Sequence, residues 1–127
     1  MPPPERINTI ILEDCRFSNI ILQYFCESHQ NIHYNGSFED VYEAIPYIQS
    51  NPVDLLFLDI ELKQSNGFDI LKHLNPKTIV VLTSHNPENF QRAQKNGVRH
   101  YLPKPFALEN FLKIIQTIKQ EDLKRDL

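Results

Sequence analysis

The chain has 127 residues, 41% of them hydrophobic and 23% charged, with a formal net charge of −3. That length suits one domain, and the composition is that of a globular protein rather than a disordered or fibrous one. The negative balance argues against a chain whose main task is gripping nucleic-acid phosphates, and no apolar run is long enough to span a bilayer.

Residues 1–6, Met-Pro-Pro-Pro-Glu-Arg, lack the apolar core of a secretory signal and read as an extended lead-in. Ile7 to Leu12 is a β-rich apolar run, and Phe17, Ile20, Ile21, Tyr24 and Phe25 follow at offsets that share one helical face. Cys15 and Cys26 on this stretch stand about three turns, roughly 16 Å, apart, too far to bridge. Free thiols point to a reducing, cytoplasmic setting, and without Cys-X-X-Cys or His/Cys ligand spacing no structural zinc is expected.

Asn31 to Ser37 reads as a short second strand and Phe38 to Ser50 as a second helix, which Pro46 must kink or shorten. Val53 to Asp59 holds Leu55-Leu56-Phe57-Leu58, a continuous apolar run typical of a strand covered on both faces. A loop with Gln64-Ser65-Asn66-Gly67 leads into a short helix that ends at Leu74, before Asn75-Pro76. Thr78 to Leu82 is the fourth strand. Pro87 to Lys95 is a polar helix closed by Asn96-Gly97 as a left-handed cap, and Val98 to Leu102 is the fifth strand. Leu108, Phe111, Leu112, Ile115 and Ile118 define a last amphipathic helix, after which residues 121–127 form a polar tail suited to linking a further domain. The folded unit is expected over residues 7–120.

Five strands alternating with five helices predict an α/β fold, a doubly wound parallel sheet with helices on both faces. Ligands of such sheets bind beyond the carboxyl ends of the strands, where the strand order reverses. Five polar residues end apolar runs on that rim: Glu13 and Asp14 after the first strand, Asp59 on the third, Thr83 on the fourth and Lys104 after the fifth. Three carboxylates brought together repel one another, and a hard divalent cation with oxygen ligands, Mg²⁺ above all, relieves that repulsion. A carboxylate beside such a cation and a lysine ammonium is suited to attack a phosphoryl group, which makes Asp59 the candidate nucleophile. Thr83 would then donate its hydroxyl to the new phosphoryl oxygen and move toward it, turning chemistry into a change of shape.

Each residue has a plainer reading when taken alone. An aspartate at a strand end is usually a turn residue, Glu13 and Asp14 suit the start of the first helix, and Ser84 suits the N-cap of the helix opening at Pro87. Lys104 between two prolines would serve as a turn lysine and Tyr101 as core. His29, His33, His73, His85 and His100 show no ligand spacing.

Taken in order, these residues resemble the receiver domain of bacterial response regulators. Leu58-Asp59-Ile60-Glu61, with Gly67 eight residues past the aspartate, looks like the family's acceptor loop. Tyr101-Leu102-Pro103-Lys104-Pro105-Phe106 looks like its lysine motif, and the likeness covers nearly the whole chain. The resemblance implies a flavodoxin-like strand order of 2-1-3-4-5, a cis Lys104–Pro105 peptide, the Glu61 main-chain carbonyl as a further metal contact and Tyr101 as a switch aromatic. It further implies phosphoryl transfer from a sensor histidine kinase or phosphotransfer protein to Asp59. Such a domain promotes its own phosphorylation and dephosphorylation without being a multiple-turnover enzyme. Homodimerisation or partner docking would use the fourth helix, fifth strand and fifth helix. The local pattern looks most like receivers joined to LytTR-type DNA-binding domains, so DNA would be met only through a separate output domain, and no membrane contact is implied.

Three positions depart from the family pattern: Glu13, where a second aspartate is commoner, Lys63, where proline is frequent and whose presence suggests a looser loop, and the Ser84-His85 pair after Thr83. Two other readings share the residues. One is a pseudo-receiver that signals through constitutive contacts. The other is a Mg²⁺-dependent phosphohydrolase, for which Glu61 has the spacing of a second acid but the chain has no room for a cap domain.

Overall fold

The apolar runs that end in polar residues become the strands of one parallel sheet. The computed structural model describes residues 6–122, so most of the expected lead-in and of the expected tail lies outside the described residues. Strands β1 (Ile7–Leu12), β2 (Ile32–Phe38), β3 (Leu55–Asp59), β4 (Ile79–Ser84) and β5 (His100–Pro103) lie in the order β2-β1-β3-β4-β5, with every adjacent pair parallel. Helices α1 (Arg16–Ser28) and α4 (Leu108–Thr117) cover one face, and α2 (Val41–Ser50), a 3-10 helix (Gly67–His73) and α3 (Pro87–Gln94) cover the other.

Alternation along the strands divides the core in two. Leu55 and Phe57 join Ile11, Val81, Leu22, Phe111 and Ile115 beneath α1 and α4, while Leu56 and Leu58 join Ile10, Leu82, Val41, Ala44, Ile70 and Ala93 on the opposite face. Phe57 stacks on Phe111 with ring centroids 5.7 Å apart, so the central strand and the last helix share one aromatic contact.

Local chemistry sets where the elements begin and end. The second helix starts at Val41 rather than Phe38, because Phe38 completes β2 and Asp40 accepts the Glu43 N–H as N-cap at 3.0 Å. Pro46 neither kinks the chain out of the helix nor ends it: the carbonyl it leaves without an i+4 donor belongs to Tyr42, on the exposed face within reach of water. The third helix is of the 3-10 type, capped by Asn66, which accepts the Phe68 N–H at 3.0 Å. Asn96-Gly97 closes α3 as expected, with Gly97 at φ 87° and the Val98 and Gly97 N–H groups returning to the carbonyls of Ala93 and Gln94. That motif occupies Val98 and delays β5 to His100.

Helix α1 corrects one expectation. It carries two apolar stripes, and the sheet takes Leu22 and Cys26 with Phe25, leaving Phe17 (74% exposed), Ile20 (57%) and Tyr24 (69%) facing outward. These outward residues recur at i, i+3 and i+7 and so form a continuous strip. Cys15 is exposed, Cys26 is buried, and neither is bridged.

Candidate functional site

Sheet register brings the five predicted residues together. Asp59 pairs with Thr83 across β3 and β4, Leu12 pairs with Leu58, and Ser84 pairs with Pro103, so the residues following β1 and β5 flank the end of β3. Lys104 is held at that level by its own N–H, which donates to the Ser84 carbonyl at 2.9 Å, and its peptide bond to Pro105 is cis. The loop after Asp59 returns to it closely: a Cβ on Gly67 would stand 2.6 Å from Ile60 Cα and 2.7 Å from the Asp59 carbonyl oxygen. Only glycine allows that approach without moving the backbone of Asp59 and Ile60.

One carboxylate oxygen each of Glu13, Asp14 and Asp59 lie within 4.8 Å of one another, with Glu13 and Asp59 buried and Asp14 half-buried. The Lys104 ammonium contacts Glu13 Oε1 and stands 3.1 Å from Asp59 Oδ2. Burial, followed by the contact with Asp59, pushes the Glu13 carboxyl up to about 8 against the lowering effect of Lys104. Burial also acts to lower the Lys104 ammonium, but its contacts with Glu13 and Asp59 more than reverse this and leave it above the usual lysine value. The site thus has more negative charge than its one lysine balances. Its donors are all oxygen, the set that suits a hard divalent cation.

Backbone amides of the loop after Asp59 hold the other carboxylate oxygens of Asp59 and Asp14. The Glu61 N–H donates to Asp59 Oδ1 at 2.9 Å, and the Lys63 N–H donates to Asp14 Oδ2 at 2.6 Å. A proline at 63 has no such N–H. The departure that suggests a looser loop therefore supplies a tether that the commoner residue cannot make. Helix capping does not account for Glu13 and Asp14, because the N-cap of α1 is Cys15, with no side-chain cap, and no acidic residue stands in the first turn.

The chain after β4 is equally tied down. Thr83 is buried beside Asp59. Ser84 is not the N-cap of α3; that role falls to Asn86, which accepts the Glu88 N–H at 3.0 Å, while Ser84 Oγ accepts the Asn86 N–H at 3.0 Å. The Ser84 carbonyl accepts the Tyr101 hydroxyl at 2.9 Å as well as the Lys104 N–H, and the Tyr101 ring stacks on Phe90 at 5.3 Å. Tyr101 is half-buried, so it is a surface aromatic with an anchored hydroxyl rather than plain core.

Sequence reasoning missed Asn89, buried on α3, whose amide nitrogen donates to Glu61 Oε1 at 2.8 Å and to Ser84 Oγ at 2.9 Å. Its one signal was shared helical spacing with Ala93, which marks an inward position but not a polar partner 28 residues away. Among the described residues no histidine joins the acidic cluster.

Comparison with known proteins agrees with this geometry. Residues 9–116 match the family described as the response regulator receiver domain. The chain belongs to that family. The receiver is 29% identical over 118 residues to the sensory transduction protein LytT of Bacillus anthracis, a match covering 90% of this chain and 46% of LytT. The LytT of Enterococcus faecalis is 26% identical over 118 residues, covering 91% of this chain and 49% of that protein. This receiver thus spans about half the length of the curated relatives it matches. Its fold is that of the response regulatory domain of MrkE from Klebsiella pneumoniae, with a TM-score of 0.83 at 22% identity over 93% of this chain and 99% of that one. A CheY-like receiver from Methanospirillum hungatei gives 0.82 at 19% identity, over 95% and 99%. The protein is therefore a receiver of two-component signalling, and among its described residues no helix is long and apolar enough to cross a membrane.

Proposed function

We propose that this receiver accepts a phosphoryl group on Asp59 from a sensor histidine kinase or phosphotransfer protein, with Mg²⁺ held by Glu13, Asp14, Asp59 and the main-chain carbonyl of Glu61. The observation that carries this reading is the Lys104 ammonium 3.1 Å from Asp59 while two further carboxylates lie within 4.8 Å of that acceptor. The cation, when bound, supplies charge stabilisation for the transferred phosphoryl oxygens. An Asp59 carboxylate oxygen forms the new bond to phosphorus as the donor's bond to phosphorus breaks, and the leaving imidazole keeps that electron pair and takes up a proton. Lys104 compensates the charge that builds on the phosphoryl oxygens. Thr83, paired with Asp59 across the sheet, donates its hydroxyl to the bound phosphoryl group. Its shift pulls on Ser84, whose carbonyl holds Tyr101, and so reaches the α3–β5–α4 face.

Two exposed apolar strips support docking of partners. Phe17, Ile20 and Tyr24 line the outer face of α1, and Leu108 and Leu112 line α4, the latter suited to a second copy on the output face. Residues 7–120 form the receiver in this reading, and residues 121–127 lead to an output domain of the LytTR DNA-binding type, the only part to meet DNA. The two free thiols fit a cytoplasmic location.

Intact mass after incubation with acetyl phosphate tests the reading, in Mg²⁺ and in EDTA, for wild type and Asp59→Asn. A single labile adduct that needs Mg²⁺ and is absent from the variant is expected. A folded wild type that takes no adduct beside a positive-control receiver, or an adduct that persists in Asp59→Asn, refutes it. Steady release of phosphate from a generic ester without an adduct would point to a phosphohydrolase instead.

A further inference from the structure

Asn89 stands out among the buried polar groups because its side chain joins the loop after Asp59 to the segment after β4. It is 7% exposed, and both protons of its amide nitrogen are committed, one to Glu61 Oε1 and one to Ser84 Oγ. A carboxylate oxygen can only accept, so the nitrogen and not the oxygen of the amide faces Glu61. Glu61 is thus fixed at two points: its N–H lies on Asp59 Oδ1, and its side chain is drawn toward α3. Glu61 is exposed, beside a groove of about 520 Å³ lined in part by Leu62, Lys63, Phe68, Asn89 and Arg92, so the Asn89 amide rather than close packing fixes its carboxylate.

We propose that Asn89 is a positioning residue for phosphoryl transfer, holding the Glu61 carboxylate against α3 and so keeping a fourth acidic side chain off the cation site. This rests on the assignment of Asp59 and its cation site made above. Cation affinity rises with the number of charged oxygen ligands, and an extra negative charge beside the acceptor repels an anionic phosphoryl donor. The same amide ties the acceptor loop to Ser84, on whose carbonyl Tyr101 and Lys104 rest, so loop and switch segment share one anchor.

The test is Asn89→Ala, with Asn89→Ser as a second variant that keeps a polar group near Ser84 but is too short to span to Glu61. Calorimetric titration with Mg²⁺ should show binding about three- to ten-fold tighter than wild type. The acetyl phosphate reaction at saturating Mg²⁺ should slow by a similar factor. Neither effect should appear when Asn89→Ala is added to Glu61→Ala, because the residue acts through that carboxylate. In EDTA, amide exchange across residues 60–64 should quicken in both Asn89 variants. A loss of packing alone would weaken Mg²⁺ binding, or shift it equally in the Glu61→Ala background, and either result overturns the proposal. A wild type that binds Mg²⁺ and is phosphorylated, beside variants indistinguishable from it, sinks the role of Asn89 alone. A wild type that does neither removes the underlying assignment and this role with it.

Discussion

Replacing Lys63 by proline removes a single N–H, and that N–H is the one donated to Asp14 Oδ2 at 2.6 Å. Hydrogen bonds to a charged group contribute about 1.5–3 kcal/mol, and the exposure of this bond reduces that to about 1 kcal/mol. Asp14 cannot give the same lone pair to the loop and to Mg²⁺, so in the metal-free protein this bond competes with the cation. Removing it should tighten Mg²⁺ binding by about five-fold, the equivalent of about 1 kcal/mol. Losing the lysine charge would favour a cation too, and Lys63→Ala is therefore the proper reference: it loses the same charge but keeps the N–H. Calorimetric titration of both variants with Mg²⁺, together with the rate of acetyl phosphate labelling at subsaturating Mg²⁺, isolates the effect of the N–H. The proline variant should bind about five-fold tighter than the alanine variant and label faster by a similar factor. Equal affinities, or weaker binding by the proline variant, would show that the loop does not compete with the cation for Asp14.

Gly67→Ala should impair the site more than the stability of the fold. The new Cβ meets backbone atoms of Ile60 and Asp59 at 2.6 and 2.7 Å, so the acceptor loop must shift, at about 1–3 kcal/mol in a denaturant melt and with a lower labelling rate. Unchanged labelling would mean that the loop absorbs the collision without moving Asp59. The pH dependence follows from Glu13, whose carboxyl is pushed up to about 8, mainly by burial. Its folded value lies above its unfolded one, so its contribution to the stability of the metal-free protein is fully present below the unfolded value and is lost as pH rises toward about 8. Mg²⁺ must displace this proton, so affinity should climb through pH 6 to 8 and level off above, which titrations at several pH values will show. A flat profile, or stability in EDTA that rises over the same range, contradicts the assignment of Glu13.

Much of the fold is legible in the sequence because the strands of a sheet covered on both faces are unbroken apolar runs, and Leu55-Leu56-Phe57-Leu58 admits few other readings. The rim residues are legible for the same reason, since each is the polar residue at which such a run stops. What escaped depends on contacts between distant segments. Helix α1 has two apolar stripes, and only the packed sheet decides that Leu22 and Cys26 go inward while Phe17 and Tyr24 remain outside. Phe38 is apolar enough for either element, and the competition between β2 and α2 is settled by the Asp40 cap. Ser84 and Asn86 are both good N-caps, and the choice falls on Asn86 because Ser84 is already committed to Asn89 and to the Asn86 N–H. Asn89 itself has meaning only once Glu61 is brought beside it.

The charges of the site explain why its resting loop is tied to its own ligands. Three carboxylates against one ammonium leave a formal excess of two negative charges, in a place where Glu13 and Lys104 are almost fully shielded from water. A proton on Glu13 or a divalent cation offsets that excess most directly, and phosphorylation would add further negative charge that the proton alone could not balance. In the metal-free protein burial raises the Glu13 carboxyl and so favours its neutral form, while the N–H groups of Glu61 and Lys63 are donated to Asp59 and Asp14. Those amides occupy lone pairs that the cation and the phosphoryl group would require in the proposed function. In the proposed function, arrival of the cation would loosen the loop, and arrival of the phosphoryl group would then re-tighten it through Thr83 and Lys104. On that proposal the loop after Asp59 is set between two charge-balanced arrangements, and the bonds that stabilise the first are those the chemistry would have to break to reach the second.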